Sequence, residues 1–356
     1  MTPNHQPRII WDWGTAYDLF ASLHVLHHPE RFGLRGSWAA GVRSRLTPSQ
    51  RTTLDHAGKL LFSSPIAWVA SLPEPRDAAT VLWALEQIEP ADRLPTLAYH
   101  TDVDPQMLEL LNKVLLRGTW DNNDLNLLKS LAQANARSLS SDDLVAKLTC
   151  WSHADEFGES YLEALQSYVE VFFSEEERRI TPYLQQALAR AKEIAPQLDF
   201  SHLMVELSQG VKIAVLEEAE EVRFVPSYWT SPLVVYDSIQ PKHWVVLFGA
   251  RPAEVGLVPG GMVPDALLRV LKALSDPTRL LILRYLNDRP QTPSQLAKRL
   301  RLRAPTVIHH LNTLRLAGLV YISLENGEEK CYTVRESTLG ETYKALRGFL
   351  SVNSEA

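Results

Sequence analysis

The chain has 356 residues and a formal net charge of −6, with 45% hydrophobic and 22% charged residues. This length favours two or three domains, and this composition excludes a disordered or fibrous protein. The apolar runs are too short to span a bilayer, and the first residues lack the apolar core of a signal peptide, so we expect a cytoplasmic protein without membrane contact. The 2 cysteines are far apart, which argues against a disulfide framework or a cysteine-based metal site.

The charge is unevenly divided along the chain. From Pro264 onwards 14 Lys and Arg residues oppose 9 Asp and Glu residues, whereas the preceding part has 22 basic and 33 acidic residues. A basic segment joined to an acidic one is typical of a nucleic-acid-binding module attached to a separate domain. Because residues 251–263 are rich in glycine and proline, we predict an N-terminal domain over 1–250, this linker, and a C-terminal domain over 264–356.

The N-terminal domain is predicted to be mostly helical. Helical spacing of apolar residues recurs over 15–28, 38–46, 77–87, 105–116, 125–136, 141–149, 155–173, 175–195 and 201–207, and a capping box at 47–50 opens a further helix. After residue 210, β-branched and aromatic runs at 222–226, 233–236 and 243–248 predict a small antiparallel sheet or hairpin, which a strand around Ile9 is placed to join. The predicted fold class is therefore mainly α (α+β).

The C-terminal domain shows the pattern of a helix-turn-helix. Asp276-Pro277 and the Thr292–Gln295 capping box each open a helix. Between 304 and 320, apolar residues recur every three or four positions, with Pro305 in the first turn and Gly318 at the expected left-handed end. Two short helices joined by a tight turn, the second polar on its outer face, form a DNA-reading unit.

A predicted hairpin and a last helix complete a winged helix. Alternating runs at 320–324 and 330–334 flank Asn326-Gly327, which is a strong hairpin signal, and an amphipathic helix is predicted over 338–350. Residues 271–283 resemble the opening helices of ArsR-type winged-helix repressors, and residues 305–320 are similar to their recognition helix. The resemblance covers about the last 90 residues. It implies a homodimer that binds operator DNA, is released by a ligand, and packs its terminal helices between subunits.

The recognition helix supplies the predicted DNA contacts. The candidates for groove contacts are Thr306, Ile308, His309, His310, Asn312 and Thr313. The candidates for phosphate contacts are Lys298, Arg299, Arg301, Arg303 and Arg315. Ile308 stands where the family often has Ser, so it can touch a thymine methyl but cannot donate a hydrogen bond. The wing tip at 325–329 is acidic and is expected to add little affinity. The alternative to DNA contact is that this helix face is simply solvated and that the winged helix contacts only proteins.

No metal, cofactor or catalytic function is predicted. Where metal-responsive members of the family carry a Cys-x-Cys motif, this chain has residues 292–297 without cysteine. His24, His27 and His28, with Glu30 and Asp12, are possible ligands of a metal ion. The alternative is that these histidines interact favourably with the helix dipole, because they lie near the C-terminus of a helix. Because catalytic motifs are missing, a non-enzymatic protein is expected. A catalytic or metal-dependent N-terminal domain regulated by the winged helix is the alternative to one that senses a ligand or partner.

Overall fold

A computed structural model describes residues 6–32, 34, 36–61, 64–98, 104–134, 140–208, 210–231, 233–252, 255, 264–325 and 329–351. Helices dominate both halves of the chain and two small sheets accompany them, so the predicted mainly α fold class is confirmed. Among the described helices, none combines the length and the apolar character needed to cross a membrane.

The N-terminal half is built from helices around one long buried helix. Its helices are α1 (Thr15–His27), α2 (Gly36–Arg43), α3 (Pro48–Leu61), α4 (Ser64–Val69), α5 (Ala78–Glu86), α6 (Pro90–Ala98), α7 (Pro105–Arg117), α8 (Asn122–Ala134), α9 (Ser141–Ser152), α10 (Ala154–Tyr168), α11 (Ser174–Ile194) and α12 (Phe200–Leu207). Tyr17, Leu19 and Leu26 of α1 are fully buried. A surface helix buries only one stripe, whereas α1 is enclosed on nearly every side. The sequence pattern did not predict α4 and α6.

Four of the five strands of the N-terminal half form a mixed sheet. The strands are β1 (Arg8–Trp11), β2 (Lys212–Ile213), β3 (Glu221–Ser227), β4 (Val235–Gln240) and β5 (His243–Gly249), and β2 is the one outside this sheet. The four-stranded sheet has the order β1-β3-β5-β4, in which β1, β3 and β5 run parallel and β4 pairs antiparallel with β5. The predicted antiparallel hairpin is therefore present as β4 and β5, and the strand around Ile9 joins the sheet, but the pairings of β1 with β3 and of β3 with β5 are parallel. Strand β3 is buried along almost its whole length, as central parallel strands are.

Two buried carboxylates tie the ends of the parallel strands to the helices. Asp18 of α1 accepts hydrogen bonds from the Ser227 hydroxyl at 2.7 Å and from the backbone N–H groups of Tyr228 at 3.1 Å and Trp229 at 2.8 Å. Burial raises the pKa of Asp18 to about 6. Asp12, just after β1, accepts from Nη1 of Arg76 and of Arg223, each at 3.0 Å.

The C-terminal half is a winged helix with a core of its own. Its elements are α13 (Asp265–Leu274), α14 (Pro277–Asp288), α15 (Pro293–Leu300), α16 (Ala304–Leu316), β6 (Val320–Glu325), β7 (Glu329–Val334) and α17 (Glu336–Ser351). The buried side chains of these elements form a cluster separate from those of the N-terminal half. This separation agrees with a domain over 264–356, whose bounds remain a prediction, and most of the predicted linker lies outside the described residues.

The two halves meet along the outer edge of the wing. Strand β2 pairs in parallel with β6 through Lys212–Ser323 and Ile213–Leu324, and β6 pairs antiparallel with β7 on its other side. Immediately before β2, Gly210 has a φ of +98°, and a Cβ there would lie 1.6 Å from Cδ1 of Tyr321. Only glycine allows this backbone to pass so close to the Tyr321 ring.

Candidate nucleic-acid interface

Local capping signals set the ends of the helix-turn-helix. The Thr292 hydroxyl accepts from the Gln295 backbone N–H at 3.3 Å, and the Gln295 side chain accepts from the Thr292 N–H at 3.0 Å. The Asp276 carboxylate accepts from the Arg279 N–H at 3.1 Å at the start of α14. The turn after α15 contains Arg301 in the left-handed region, with a φ of 55°. These contacts confirm the two helix starts predicted from the sequence.

The recognition helix α16 has one packed side and one open side. Val307, Leu311 and Leu314 are fully buried beneath it. Thr306, Ile308 and His309 are exposed on the opposite side, and 41% of Ile308 is accessible to solvent. Pro305 lies in the first turn, and Gly318 follows the helix with a φ of 68°. The helix therefore presents its first two turns freely, as a helix that enters the major groove requires.

Two of the predicted groove residues lie on the flank of this open side. His310 is half-buried beside Asp276 and Arg279, and its burial lowers its pKa, so the neutral ring is favoured. The Thr313 hydroxyl donates to the His309 carbonyl at 3.1 Å, back along the helix. His309 thus points most directly outward, whereas His310 and Thr313 reach a groove only from the side.

A basic strip lies at the turn between α15 and α16. Its members are exposed cations that the sequence predicted as phosphate contacts: Lys298, Arg299, Arg301 and Arg303. The Arg299 guanidinium lies 5.3 Å from the centre of the Tyr285 ring, which orients it without covering it. The structure therefore brings these four cations together beside the open end of α16, where DNA phosphates would flank an inserted helix.

Arg315 is placed differently from the other predicted phosphate contacts. It is half-buried, and it lines a cavity between α16 and the N-terminal half together with Asn312 and Leu316. Burial also lowers its pKa. Arg315 is thus less open to a phosphate than the other four cations, and its phosphate contact stays a prediction. Arg315 is partly buried by the N-terminal half, and this contact could not be predicted from the sequence of α16 alone.

The wing is described only in part. Strands β6 and β7 confirm the predicted hairpin, while Asn326, Gly327 and Glu328 lie outside the described residues. The pairing of β2 with β6 was not predicted, because two residues of strand give no recognisable sequence pattern. Gly210 gave no separate signal for this pairing, because a glycine there is also explained by the end of α12: its φ is +98° and its N–H donates to the Val205 carbonyl at 2.7 Å.

The histidines of α1 are engaged with neighbours of other kinds. The His27 Nδ1 lies 2.9 Å from Oδ1 of Asp55, and burial lowers the His27 pKa to about 4. The rings of His24 and His28 lie 4.8 Å apart. Asp12 binds Arg76 and Arg223 instead of facing these rings. In the described part of the chain, no three His, Cys, Asp or Glu side chains lie close enough together to hold a metal.

The geometry of the winged helix agrees with a match to a known family. Residues 276–321 match the family described as bacterial regulatory protein, arsR family. The HTH-type transcriptional regulator CmtR of Mycobacterium tuberculosis is 42% identical to this chain over 85 residues, which are 71% of that protein and 24% of this chain. This chain belongs to the ArsR family. Its ArsR-family domain spans α14, α15, α16 and the start of the wing.

Other relatives match the same part of the chain. The transcriptional repressor SdpR of Bacillus subtilis is 29% identical over 82 residues, covering 90% of SdpR and 23% of this chain. A solved ArsR-like transcriptional regulator from Rhodococcus sp. RHA1 is 34% identical and covers 78% of that chain and 24% of this one, with a TM-score of 0.23. CmtR and SdpR are both transcriptional regulators, and their similarity supports DNA-binding regulation by this ArsR-family chain; each covers about a quarter of it.

Proposed function

We propose that this chain is a transcriptional repressor that binds a two-fold-related operator as a homodimer, and that its N-terminal domain senses a small ligand. The observation that carries the proposal is the open face of α16 beside a strip of exposed cations, because the helix reads bases and the cations bind phosphates. The proposal assigns no catalytic step to any residue. It places the protein in the cytoplasm, where its operator is found.

Exposed apolar side chains on the outer helices support the homodimer. Leu271 of α13, Leu280 and Leu281 of α14, and Leu339, Tyr343, Phe349 and Leu350 of α17 are each between 38% and 73% exposed. Helices α13 and α17 contact one another, so exposed apolar side chains of both lie in the same region of the domain. Large exposed apolar side chains in one region are typical of protein contacts, and a second copy would cover them symmetrically.

The decisive experiment measures binding of the full-length protein to DNA from upstream of its own gene, by fluorescence anisotropy at several salt concentrations. We expect an affinity about a thousandfold above that for random DNA of equal length, and a footprint with two-fold symmetry. Equal affinity for both DNAs would overturn the proposal and favour a winged helix that contacts only proteins.

Arg303→Ala tests the basic strip. Arg303 is exposed and caps the start of α16 without a side-chain capping bond, so the substitution removes charge with little effect on folding. We expect affinity to fall for all sequences alike and the slope of log affinity against log salt to become shallower by about 1. Arg289→Ala, also exposed but at the far end of α14, is the matched control and should leave the slope unchanged. An unaltered slope in both variants would contradict the assignment of Arg303.

A further inference from the structure

A cavity of about 440 Å³ lies where the N-terminal half meets the recognition helix. One wall is the last turn of α16, with Asn312, Arg315 and Leu316. The rest of the lining comes from α1, the 3-10 turn at 29–32, α4, and the segment from Thr230 to the first residue of β4, and it includes Phe20, His24, Phe32, Ile66, Thr230 and Leu233. The size suits a small organic molecule, and both halves of the chain would touch it.

The lining is apolar apart from a few groups gathered within it. Among the described residues that line the cavity, Arg315 and His24 are the basic ones and no Asp or Glu is present. Burial lowers the pKa of Arg315, and the nearby Tyr332 phenol partly opposes this effect. Within the part of the chain that the structure describes, Nε of Arg315 has no hydrogen-bond partner, and neither has Oγ1 of Thr230, which is 2% exposed. A half-buried guanidinium with an unpaired N–H favours an anion in the cavity.

We propose that this cavity binds a small monocarboxylic acid with an extended apolar body, and that the bound acid weakens DNA binding. The guanidinium of Arg315 matches one carboxylate with two parallel hydrogen bonds. The aromatic and aliphatic side chains of the other wall would cover the hydrocarbon part.

The position of the cavity explains how binding would reach DNA, and this step rests on the proposed function. Leu316 follows His309 by seven residues and therefore lies on the same face of α16. The N-terminal half therefore covers the C-terminal end of this face of α16, whereas the first two turns of the same face are open. A ligand held between both walls stabilises this covered arrangement, and by linkage it lowers the affinity of the helix for the groove.

Calorimetric titration of the full-length protein with decanoate, without DNA, tests the site. We expect one decanoate per protomer, and binding of decanol at least about tenfold weaker, because the alcohol lacks the charge. Arg315→Gln should weaken decanoate binding by at least about tenfold, whereas Arg289→Gln, which removes an exposed charge from the same domain, should not change it. Absence of decanoate binding, or equal binding by Arg315→Gln, would overturn the assignment.

Thr230→Val is a second variant that separates ligand binding from folding. It keeps the shape of the side chain and removes a buried hydroxyl that has no partner, so the free protein should melt at the same temperature or higher. Its affinity for decanoate should nevertheless fall by about threefold or more, since a ligand oxygen loses its hydrogen bond. A lower melting temperature with unchanged affinity would show that the hydroxyl serves only the fold.

Anisotropy titrations with decanoate present test the coupling. Saturating decanoate should raise the dissociation constant for the upstream DNA by about fivefold or more, and Arg315→Gln should abolish this effect. A dissociation constant unchanged by decanoate would overturn the coupling. If the ligand-free protein does not distinguish the upstream DNA from random DNA, the proposed function fails while the calorimetric result still decides the site.

Discussion

The two halves of the molecule complete their cores in different ways. The N-terminal half encloses α1 almost fully and ties loops to it through buried carboxylates such as Asp18 and Asp12. The winged helix relies on helix caps and a small apolar core, and it leaves large apolar side chains exposed on α13, α14 and α17. The sheet of the winged helix is completed by the N-terminal half, because β2 pairs with the outer edge of β6.

The largest expected effect comes from removing the Asp18 carboxylate. Asp18→Ala leaves one hydroxyl and two backbone N–H groups buried without their acceptor, so we expect the free energy of unfolding to fall by about 3 kcal/mol. Urea denaturation followed by circular dichroism measures it. Asp18→Asn, which keeps the shape and one acceptor oxygen, should lose less. A loss below about 1 kcal/mol for Asp18→Ala would contradict the view that this carboxylate organises the N-terminal half.

The next effect concerns the apolar side of the winged helix. Leu339→Glu combined with Tyr343→Glu places charges one helical turn apart on α17, and we expect sedimentation velocity to show monomers in place of dimers. The affinity for the upstream DNA should fall at least about tenfold, because a monomer engages one half-site only.

Leu116→Glu provides the matched control for this double variant. Leu116 lies at the end of α7 in the N-terminal half and is 87% exposed, so its substitution introduces charge at an equally open position. We expect neither the oligomeric state nor the DNA affinity to change. Monomers produced by this control instead would move the dimer contact into the N-terminal half.

The smallest effect is a pH dependence confined to the N-terminal half. Burial lowers the His27 pKa from 6.5 to about 4, so the unfolded state binds more protons between these values and stability rises with pH across the window. Asp18, with a pKa raised from 3.8 to about 6, acts in the opposite direction, because the folded state binds the extra proton. The two contributions partly cancel in the wild type.

Comparison with His27→Gln isolates the histidine contribution. The unfolding free energy of the wild type relative to this variant should increase by about 1–2 kcal/mol between pH 4 and pH 6.5, which urea titrations at several pH values measure. The same comparison should leave the Asp18 contribution unchanged, since both proteins contain it. A difference that is constant with pH would mean that His27 is protonated alike in both states.

Local signals explain why the winged helix could be predicted in detail. Thr292 with Gln295, Asp276 and Gly318 each fix a helix end through neighbours within a few residues, and the spacing of Val307, Leu311 and Leu314 defines the packed face. No part of this information depends on distant segments. The exposed cations at the turn followed from the same local pattern.

The remaining features depend on contacts between residues far apart in the chain. Asp18 lies within an apolar helix, and nothing near it shows that its carboxylate meets the end of β3, 209 residues later. The direction of β1 is set by β3 at a similar separation, so the parallel pairing had no local signal. Arg315 resembles any cation on a polar helix face, and its burial depends on where the N-terminal half lies. Pattern and propensity describe neighbours along the chain, and these contacts are not neighbours.

The pairing of β1 with β3 also orders events during synthesis. Residues 8–11 leave the ribosome early but cannot find their partners until residues 221–249 have followed. The twelve helices α1 to α12 are therefore synthesised before β1 can pair. This pairing closes a loop of more than two hundred residues, and closing such a long loop slows folding. Strand β2 waits for a shorter stretch of about 110 residues, until the wing at 320–325 has been made. Newly made chains thus carry unpaired strand edges until the DNA-binding domain emerges, a period in which chaperones would protect them from aggregation.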